Sequence, residues 1–212
     1  ATPIGFHGAA IVSDVRLRRP FLIRIDARGG WFDGTRHEPR VGGRIALGAQ
    51  VIVDGLATTM VNVHLESHED PEARAADIRR LLALVDRYDP QAPVILGGDF
   101  NTSTASFSER WSDRAAWLRR LAQEPQRLTA PEPFEPLFSV LGEAGYDWHA
   151  CNLPDVPTQR FAEAEGRRPL AKLDWFFTRG LVARDPRIVP ALRADGDPSS
   201  DHDALVVTIA KQ

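Results

Sequence analysis

The sequence predicts a mixed-sheet α/β domain rather than a doubly wound one. Two observations favour this class: apolar strand-like segments alternate with two or three segments of helical periodicity, and an Asp-Gly pair joins two of the strands as a hairpin. The 212 residues are 43% hydrophobic and 26% charged, which is ordinary globular composition. We therefore expect residues 1–212 to form one domain with a sizeable core.

The composition also excludes several classes of protein. The net charge of −3 gives no global sign of nucleic-acid or anionic-membrane binding. Cys151 is the only cysteine, which excludes an intramolecular disulfide framework and a cysteine-rich zinc site. No apolar run approaches 18 residues, so no transmembrane segment is predicted. No signal peptide is visible, which favours a cytoplasmic location.

The first third of the chain is predicted to form strands. Asp54-Gly55 has the chemistry of a tight turn with positive φ, and it separates two apolar segments. In the second of these, Asn62 and His64 share one face. The predicted strands are 8–13, 21–26, 44–53 and 56–65, and the polar, glycine-rich segment 29–43 is predicted to be a loop.

A helix is predicted between Asp70-Pro71 and Asp89-Pro90. Asp70 suits the N-cap and Pro71 the first helical position. The apolar stripe of Ile78, Leu81, Leu82 and Val85 has helical spacing, with arginines outside it. Beyond it we expect a helix over 106–121, with Trp111 and Trp117 partly buried, and a short helix over 137–141. A proline-broken connector over 130–136 is expected between these helices. The late strands are predicted over 173–177 and 204–209.

The segment 94–101 is the most informative part of the sequence. Val94, Ile95 and Leu96 indicate a short buried strand, and Gly97-Gly98 is expected to end it. Asp99 and Asn101 follow at alternating positions, so in extended backbone both point to one side. A turn would also explain them, because Asp and Asn are common turn residues.

Polar side chains accompany four apolar strands: Asn62 with His64, Asp99 with Asn101, Asp174, and the run Ser200-Asp201-His202-Asp203. Each of these polar groups could also have a purely structural role, for example as a half-buried histidine or as a turn before a strand. Asp174 is less usual, because carboxylates are rarely placed inside apolar strands unless paired. Together, carboxylates, histidines and amides suit metal-assisted hydrolysis of a phosphate ester.

These four segments resemble, in order, the later motifs of the endonuclease/exonuclease/phosphatase superfamily. They are Asn62-Val63-His64-Leu65, Gly97-Gly98-Asp99-Phe100-Asn101, Leu173-Asp174-Trp175-Phe176-Phe177 and Ser200-Asp201-His202, and Gly8 to Ser13 resembles an early "G-x-A-I-x-S" strand. The resemblance implies two packed mixed β-sheets flanked by helices, a four-layer sandwich. It also implies cleavage of a phosphate-ester substrate with Mg²⁺ or Mn²⁺. It does not distinguish small-molecule, lipid and nucleic-acid substrates, and it does not indicate the oligomeric state.

The resemblance implies a role for each residue. Asp99 would orient or deprotonate the attacking water and contribute to the metal site, and Asn101 would hold a phosphate oxygen. His202 would stabilise the developing charge while Asp174 fixes its tautomer. Asp201 would face the metal, and His64 would bind the phosphate or assist the leaving group. Asn62 would contact substrate or orient His64, whereas Glu66 is expected to be a solvated surface carboxylate.

The chain departs from the family pattern at its beginning. The family carries a metal-binding Glu and an Asn upstream of the "G-x-A-I-x-S" strand, but only seven residues precede Gly8 and none is acidic. We therefore expect the chain to correspond to the C-terminal three quarters of the family domain and to bind metal and hydrolyse esters weakly. The alternative is a catalytically impaired member that acts as a binding or scaffold domain.

Two branches of the superfamily are disfavoured by single motifs. Inositol-polyphosphate phosphatases usually carry Trp-Cys-Asp-Arg where this chain has Leu173-Asp174-Trp175-Phe176. Abasic-site nucleases usually end their last motif in Cys-Pro, whereas Asp203-Ala204 follows His202 here. Substrate identity within the superfamily stays open.

Overall fold

A computed structural model describes residues 8–25, 44–67, 69–105, 113–160 and 169–212. The predicted loop at 29–43 and the predicted helix start at 106–112, with Trp111, lie outside these residues. The described part contains strands, helices and one short 3-10 helix at Glu132–Phe134.

Five strands form a central mixed sheet, and their order across the sheet is β1 Arg18–Ile25, β2 Arg44–Val53, β3 Leu56–His64, β4 Val94–Asp99 and β7 Asp174–Arg179. Only β3 and β4 are parallel within this sheet, and the other neighbours are antiparallel. β2 and β3 form the predicted hairpin around Asp54-Gly55, where both turn residues have positive φ.

Two further antiparallel pairs accompany the central sheet: β5 Gln159–Arg160 with β6 Pro169–Ala171, and β8 Leu181–Val189 with β9 Ala204–Lys211. The helices are α1 Pro71–Tyr88, α2 Arg114–Gln123, α3 Gln126–Thr129 and α4 Leu137–Glu143. In the described part of the chain, none of these helices combines the length and apolarity needed to cross a membrane. The predicted α/β class, with a mixed sheet, additional sheets and helices, is confirmed.

The main core lies between one face of the central sheet and helices α1 and α4. The apolar stripe of α1 is buried as its periodicity predicts, whereas Arg79, Arg80 and Arg87 are exposed. Pro71 begins the helix, and Asp70 occupies the N-cap without a side-chain capping hydrogen bond. Its backbone carbonyl instead accepts from the Ala73 and Arg74 N–H groups. The core therefore holds the central strands firmly against α1.

The glycine pair extends β4 instead of ending it. At Gly97, an added Cβ would lie 2.5 Å from the Phe176 ring. At Gly98, φ is +140° and an added Cβ would lie 1.9 Å from the Val63 carbonyl oxygen. Only glycine fits both the backbone conformation and the close approach of β3 at Gly98. The pair therefore lets β4 run on to Asp99 between its two neighbours.

The predicted strand at 8–13 is wrong. This segment has no strand partner among the described residues and is largely exposed. Its Ala10 carbonyl oxygen accepts a 2.9 Å hydrogen bond from Asn62 Nδ2. An apolar sequence becomes a strand only when another backbone completes its ladder, and a side-chain contact does not do so.

Replacing Gly98 with alanine should destabilise the fold strongly. The strained φ and the overlap with the Val63 carbonyl together should cost about 2–5 kcal/mol of unfolding free energy. Gly55→Ala is the matched control, because Gly55 also has positive φ but has open space around it. It should lose only about 1–2 kcal/mol. Equilibrium urea unfolding measures both, and equal losses would contradict the argument from the β3–β4 approach.

Candidate active site

The register of the central sheet aligns three polar residues. Across β3, β4 and β7, His64 lies opposite Asp99, and Asp99 lies opposite Asp174. Backbone hydrogen bonds of 2.9 Å continue both ladders beyond this row, from Leu65 N to Asp99 O and from Phe100 N to Leu173 O. Neighbouring strands are about 5 Å apart, so the three side chains emerge together at one edge of the sheet.

His202 reaches this edge from a distant part of the sequence. The segment 201–203 pairs with 158–160 through backbone hydrogen bonds from Arg160 N to Asp201 O (2.7 Å) and from Asp203 N to Thr158 O (2.8 Å). His202 lies opposite Gln159 in an isolated bridge. Residues 158–160 therefore act as the support that carries His202 to the row.

The four side chains make direct polar contacts. His202 Nδ1 lies 2.7 Å from Asp174 Oδ2, and His202 Nε2 lies 4.0 Å from Asp99 Oδ2. His64 Nε2 lies 3.4 Å from the same Asp99 oxygen. The Asp99 side chain is only 16% exposed, whereas that of His64 is 45% exposed. The site is thus a carboxylate between two imidazoles, accessible from one side.

This arrangement changes the acidity of each group. Burial, and then the negative charge of Asp174, raise the pKa of the Asp99 carboxyl to about 7. Burial by itself lowers the pKa of His202, but the hydrogen bond and charge of Asp174, with the charges of Asp99 and Asp201, raise it to about 9. Burial, and then the positive charge of His202, lower the pKa of His64. At neutral pH, His202 is the cationic imidazole and His64 the neutral one.

The two predicted amides lie beside the row in different settings. The Asn101 backbone N–H donates to Asp99 Oδ1 at 2.9 Å, and Asn101 Nδ2 donates to the Leu65 carbonyl at 2.8 Å. Asn101 has a φ of 47°, a region that asparagine tolerates. Asn62 lies two residues before His64 on β3 and holds the Ala10 carbonyl instead. Asn101 therefore orients Asp99, whereas the Asn62 amide holds the segment at Ala10.

The acidic groups at this edge suit a divalent cation. The ligand atoms of Asp99, Asp174 and His202 lie within 4.8 Å of one another in the described structure. Asp201 is exposed, and its charge acts on both Asp99 and His202. Burial first, and like-charge repulsion second, keep the pKa of Asp99 high, and a cation would offset the repulsion. Of the two predicted metal ligands, only Asp99 belongs to this cluster among the described residues, and Asp201 does not.

The prediction that Glu66 is a solvated surface carboxylate is wrong. Glu66 is only 3% exposed, and Ser67 Oγ lies 3.4 Å from its Oε1. It lies two residues beyond the end of β3 at His64, next to the buried Leu65. Sequence position alone does not distinguish this buried turn from a solvated one.

Sequence reasoning also missed the residues that support His202. Arg160 and Asp203 form a buried ion pair, with Arg160 Nη2 2.8 Å from Asp203 Oδ2. The Ala191 backbone N–H donates to the other Asp203 oxygen at 2.8 Å. Thr158 Oγ1 contacts Asp174 Oδ2 at 2.6 Å. Arg160 belongs to the two-residue strand β5, and Thr158 directly precedes this strand. A strand this short has no periodic signal, so only the polar run 200–203 pointed to this region.

Comparisons with known proteins agree on one fold. Residues 2–202 match the model of the Endonuclease/Exonuclease/phosphatase family. A comparison with curated protein sequences gives no significant match. Similar solved structures include a functionally unknown conserved protein from Enterococcus faecalis V583, with 18% sequence identity and a TM-score of 0.60, covering 93% of this chain and 68% of that chain.

Two further structures are similar over the same share of this chain. An endonuclease/exonuclease/phosphatase from Bacteroides vulgatus has 17% identity and a TM-score of 0.58, with 93% of this chain and 66% of that chain covered. The human Nocturnin catalytic domain with bound sulfate anion has 16% identity and a TM-score of 0.58, with 93% and 60% covered. At these identities the likeness shows the fold, and the chain spans about two thirds of the length of these proteins.

Breaking the buried ion pair behind His202 should cost far more than breaking an exposed one. Asp203→Ala leaves the buried Arg160 guanidinium unpaired, which should lower the unfolding free energy by about 3–5 kcal/mol. Asp86→Ala removes the partner of Arg179 in a partly exposed pair and should cost about 0–1 kcal/mol. Urea unfolding of both variants measures the difference, and a loss below about 1 kcal/mol for Asp203→Ala would show that this pair does not hold the segment.

Proposed function

This chain belongs to the Endonuclease/Exonuclease/phosphatase family, and from that premise we propose that it is a metal-dependent hydrolase of phosphate esters. The observation that carries the proposal is the position of Asp99 Oδ2, 3.4 Å from one imidazole nitrogen and 4.0 Å from another. A carboxylate between two histidines provides a proton acceptor and two donors around one small volume. Hydrolysis of a phosphate ester needs these groups together.

Asp99 is proposed to orient the attacking water and to accept its proton. Its pKa of about 7 suits a general base at neutral pH, because about half of such groups are ionised at pH 7 and the carboxylate is more basic than an ordinary one. The Asn101 N–H and the neighbouring strands hold the carboxylate in place. The water oxygen forms a bond to phosphorus as the ester P–O bond breaks, and the water proton passes to Asp99.

The two histidines are proposed to bind the phosphoryl oxygens. His202 is cationic at neutral pH, and Asp174 holds its Nδ1, so its Nε2–H is directed towards Asp99 and the reacting centre. Negative charge on the phosphoryl oxygens grows during attack, and a preorganised cationic donor stabilises it. His64, with its lowered pKa, is suited to donate a hydrogen bond to phosphate or to the leaving group without carrying a charge.

A divalent metal, Mg²⁺ or Mn²⁺, is proposed to bind at Asp99 and Asp201. When bound it would supply Lewis-acid polarisation of a phosphate oxygen. In support of this proposal, Asp99 lies beside both histidines, and the charge of Asp201 acts on Asp99 and His202. Carboxylates meet the preference of these cations for oxygen. The expectation of weak metal binding stays a prediction.

The asparagines are proposed to contact the substrate. One hydrogen of Asn101 Nδ2 is used by the Leu65 carbonyl, and an amide nitrogen carries a second that suits a phosphate oxygen. Asn62 supports the segment at Ala10, beside the strand that carries His64. Small-molecule, lipid and nucleic-acid esters are equally compatible with these groups, so the substrate class is decided by assay.

A panel of phosphodiesters and phosphomonoesters, with Mg²⁺ or Mn²⁺, tests the proposal on wild type, Asp99→Asn and Asp185→Asn. Removing the general base should lower kcat by about 10²–10⁴-fold. Asp185 is an exposed carboxylate on β8, so its amide variant controls for the loss of one charge and should keep wild-type turnover. Equal rates for wild type and Asp99→Asn on every turned-over ester would remove Asp99 from catalysis. No metal-dependent turnover of any ester would instead favour the binding-domain alternative.

A further inference from the structure

Thr158 lies behind the site, and its hydroxyl has a fully determined set of partners. Thr158 is 1% exposed, and its Oγ1 accepts from the Leu173 N–H at 3.3 Å and from the Asp174 N–H at 3.2 Å. A hydroxyl has two acceptor lone pairs and one proton. With both lone pairs facing backbone donors, the proton is directed to the remaining neighbour, Asp174 Oδ2, at 2.6 Å.

The direction of this proton fixes the polarity of the next hydrogen bond. Asp174 Oδ2 accepts from Thr158 and also lies 2.7 Å from His202 Nδ1. An oxygen that accepts from the hydroxyl is stabilised as a carboxylate, and a carboxylate cannot donate. His202 Nδ1 must therefore carry the hydrogen. The arrangement directs the second nitrogen, Nε2, towards Asp99.

The backbone of Thr158 also links the segment before Asp174 to the segment that carries His202, through two hydrogen bonds. Its N–H donates to the Ala171 carbonyl at 2.8 Å, and its carbonyl accepts from the Asp203 N–H at 2.8 Å. One residue thus joins the chain leading into β7, which carries Asp174, to the segment that carries His202. A side chain held on all sides in this way keeps its rotamer and its direction.

We propose that Thr158 is a positioning residue: its hydroxyl holds the Asp174 carboxylate against His202 Nδ1, and this orients the imidazole so that Nε2 faces the reacting centre. Its effect on rate rests on the proposed hydrolysis, but its effect on His202 does not. Hydrogen-bond partners that orient a functional histidine typically change activity by about 10–100-fold when removed. The sequence pattern does not indicate this role, because Thr158 follows Pro157 in a segment without apolar periodicity.

Two substitutions separate the hydroxyl from the volume of the side chain. Thr158→Val keeps the shape and removes the hydroxyl, whereas Thr158→Ser keeps the hydroxyl. The valine variant should lose about 10–100-fold in kcat with KM nearly unchanged, and serine should restore most of the rate. Thr58→Val is the matched control: it removes a buried hydroxyl at the opposite end of β3 and should leave kcat unchanged.

Nitrogen-15 NMR of the His202 imidazole provides a readout that needs no substrate. Wild type and Thr158→Ser should show a protonated Nδ1 with a hydrogen-bonded proton signal, and Thr158→Val should lose or shift that signal. An unprotonated Nδ1 in the wild type would overturn the proposal even if the valine variant fails to fold. A valine variant with wild-type signals and kcat would overturn it as well, and so would a serine variant that behaves like valine. If the wild type hydrolyses no ester, only the proposed function fails, and the spectrum still decides the role of Thr158.

Discussion

The register between β3, β4 and β7 is the constraint on which the site depends. It sets His64, Asp99 and Asp174 in one row, and a shift of β4 by one residue would turn Asp99 to the other face of the sheet. The close approach of the Val63 carbonyl to Gly98 permits this register only where residue 98 has no side chain. The glycines in the 97–101 motif are therefore structural requirements for the chemistry of the residues that follow them.

Buried charges under the sheet give the site a second support. Arg74 and Glu135 form a fully buried ion pair, and the Thr104 N–H donates to Glu135 Oε1 at 2.8 Å. The pair connects α1 to the loop that follows Asp99. Arg44 pairs with Glu69 and Asp77 close by, also out of solvent. Such pairs contribute little net stability but are strongly destabilising when broken, so they favour one loop conformation over others.

Local patterns in the sequence predicted the central strands, α1 and the polar residues at the strand ends. Strand alternation predicted which side chains accompany His64 and Asp99 on one face. Asp174 was identified because a carboxylate is unusual in an apolar segment. The sequence did not predict the burial of Glu66 or the roles of Thr158 and Arg160, because these depend on contacts between irregular segments. The prediction of a strand at 8–13 was wrong for a related reason. The composition of this segment suits a strand, but a strand also needs a partner backbone, which local sequence does not specify.

The proposed function requires that the row of His64, Asp99 and Asp174, together with His202, faces one shared phosphate and metal site. A crystal structure with Mn²⁺ and inorganic phosphate, using the anomalous signal of manganese, tests it most directly. We expect manganese at the carboxylates of Asp99 and Asp201, and phosphate oxygens within hydrogen-bond distance of His64 and His202. Manganese and phosphate bound elsewhere, with neither of them in contact with these four side chains, would contradict the proposed function.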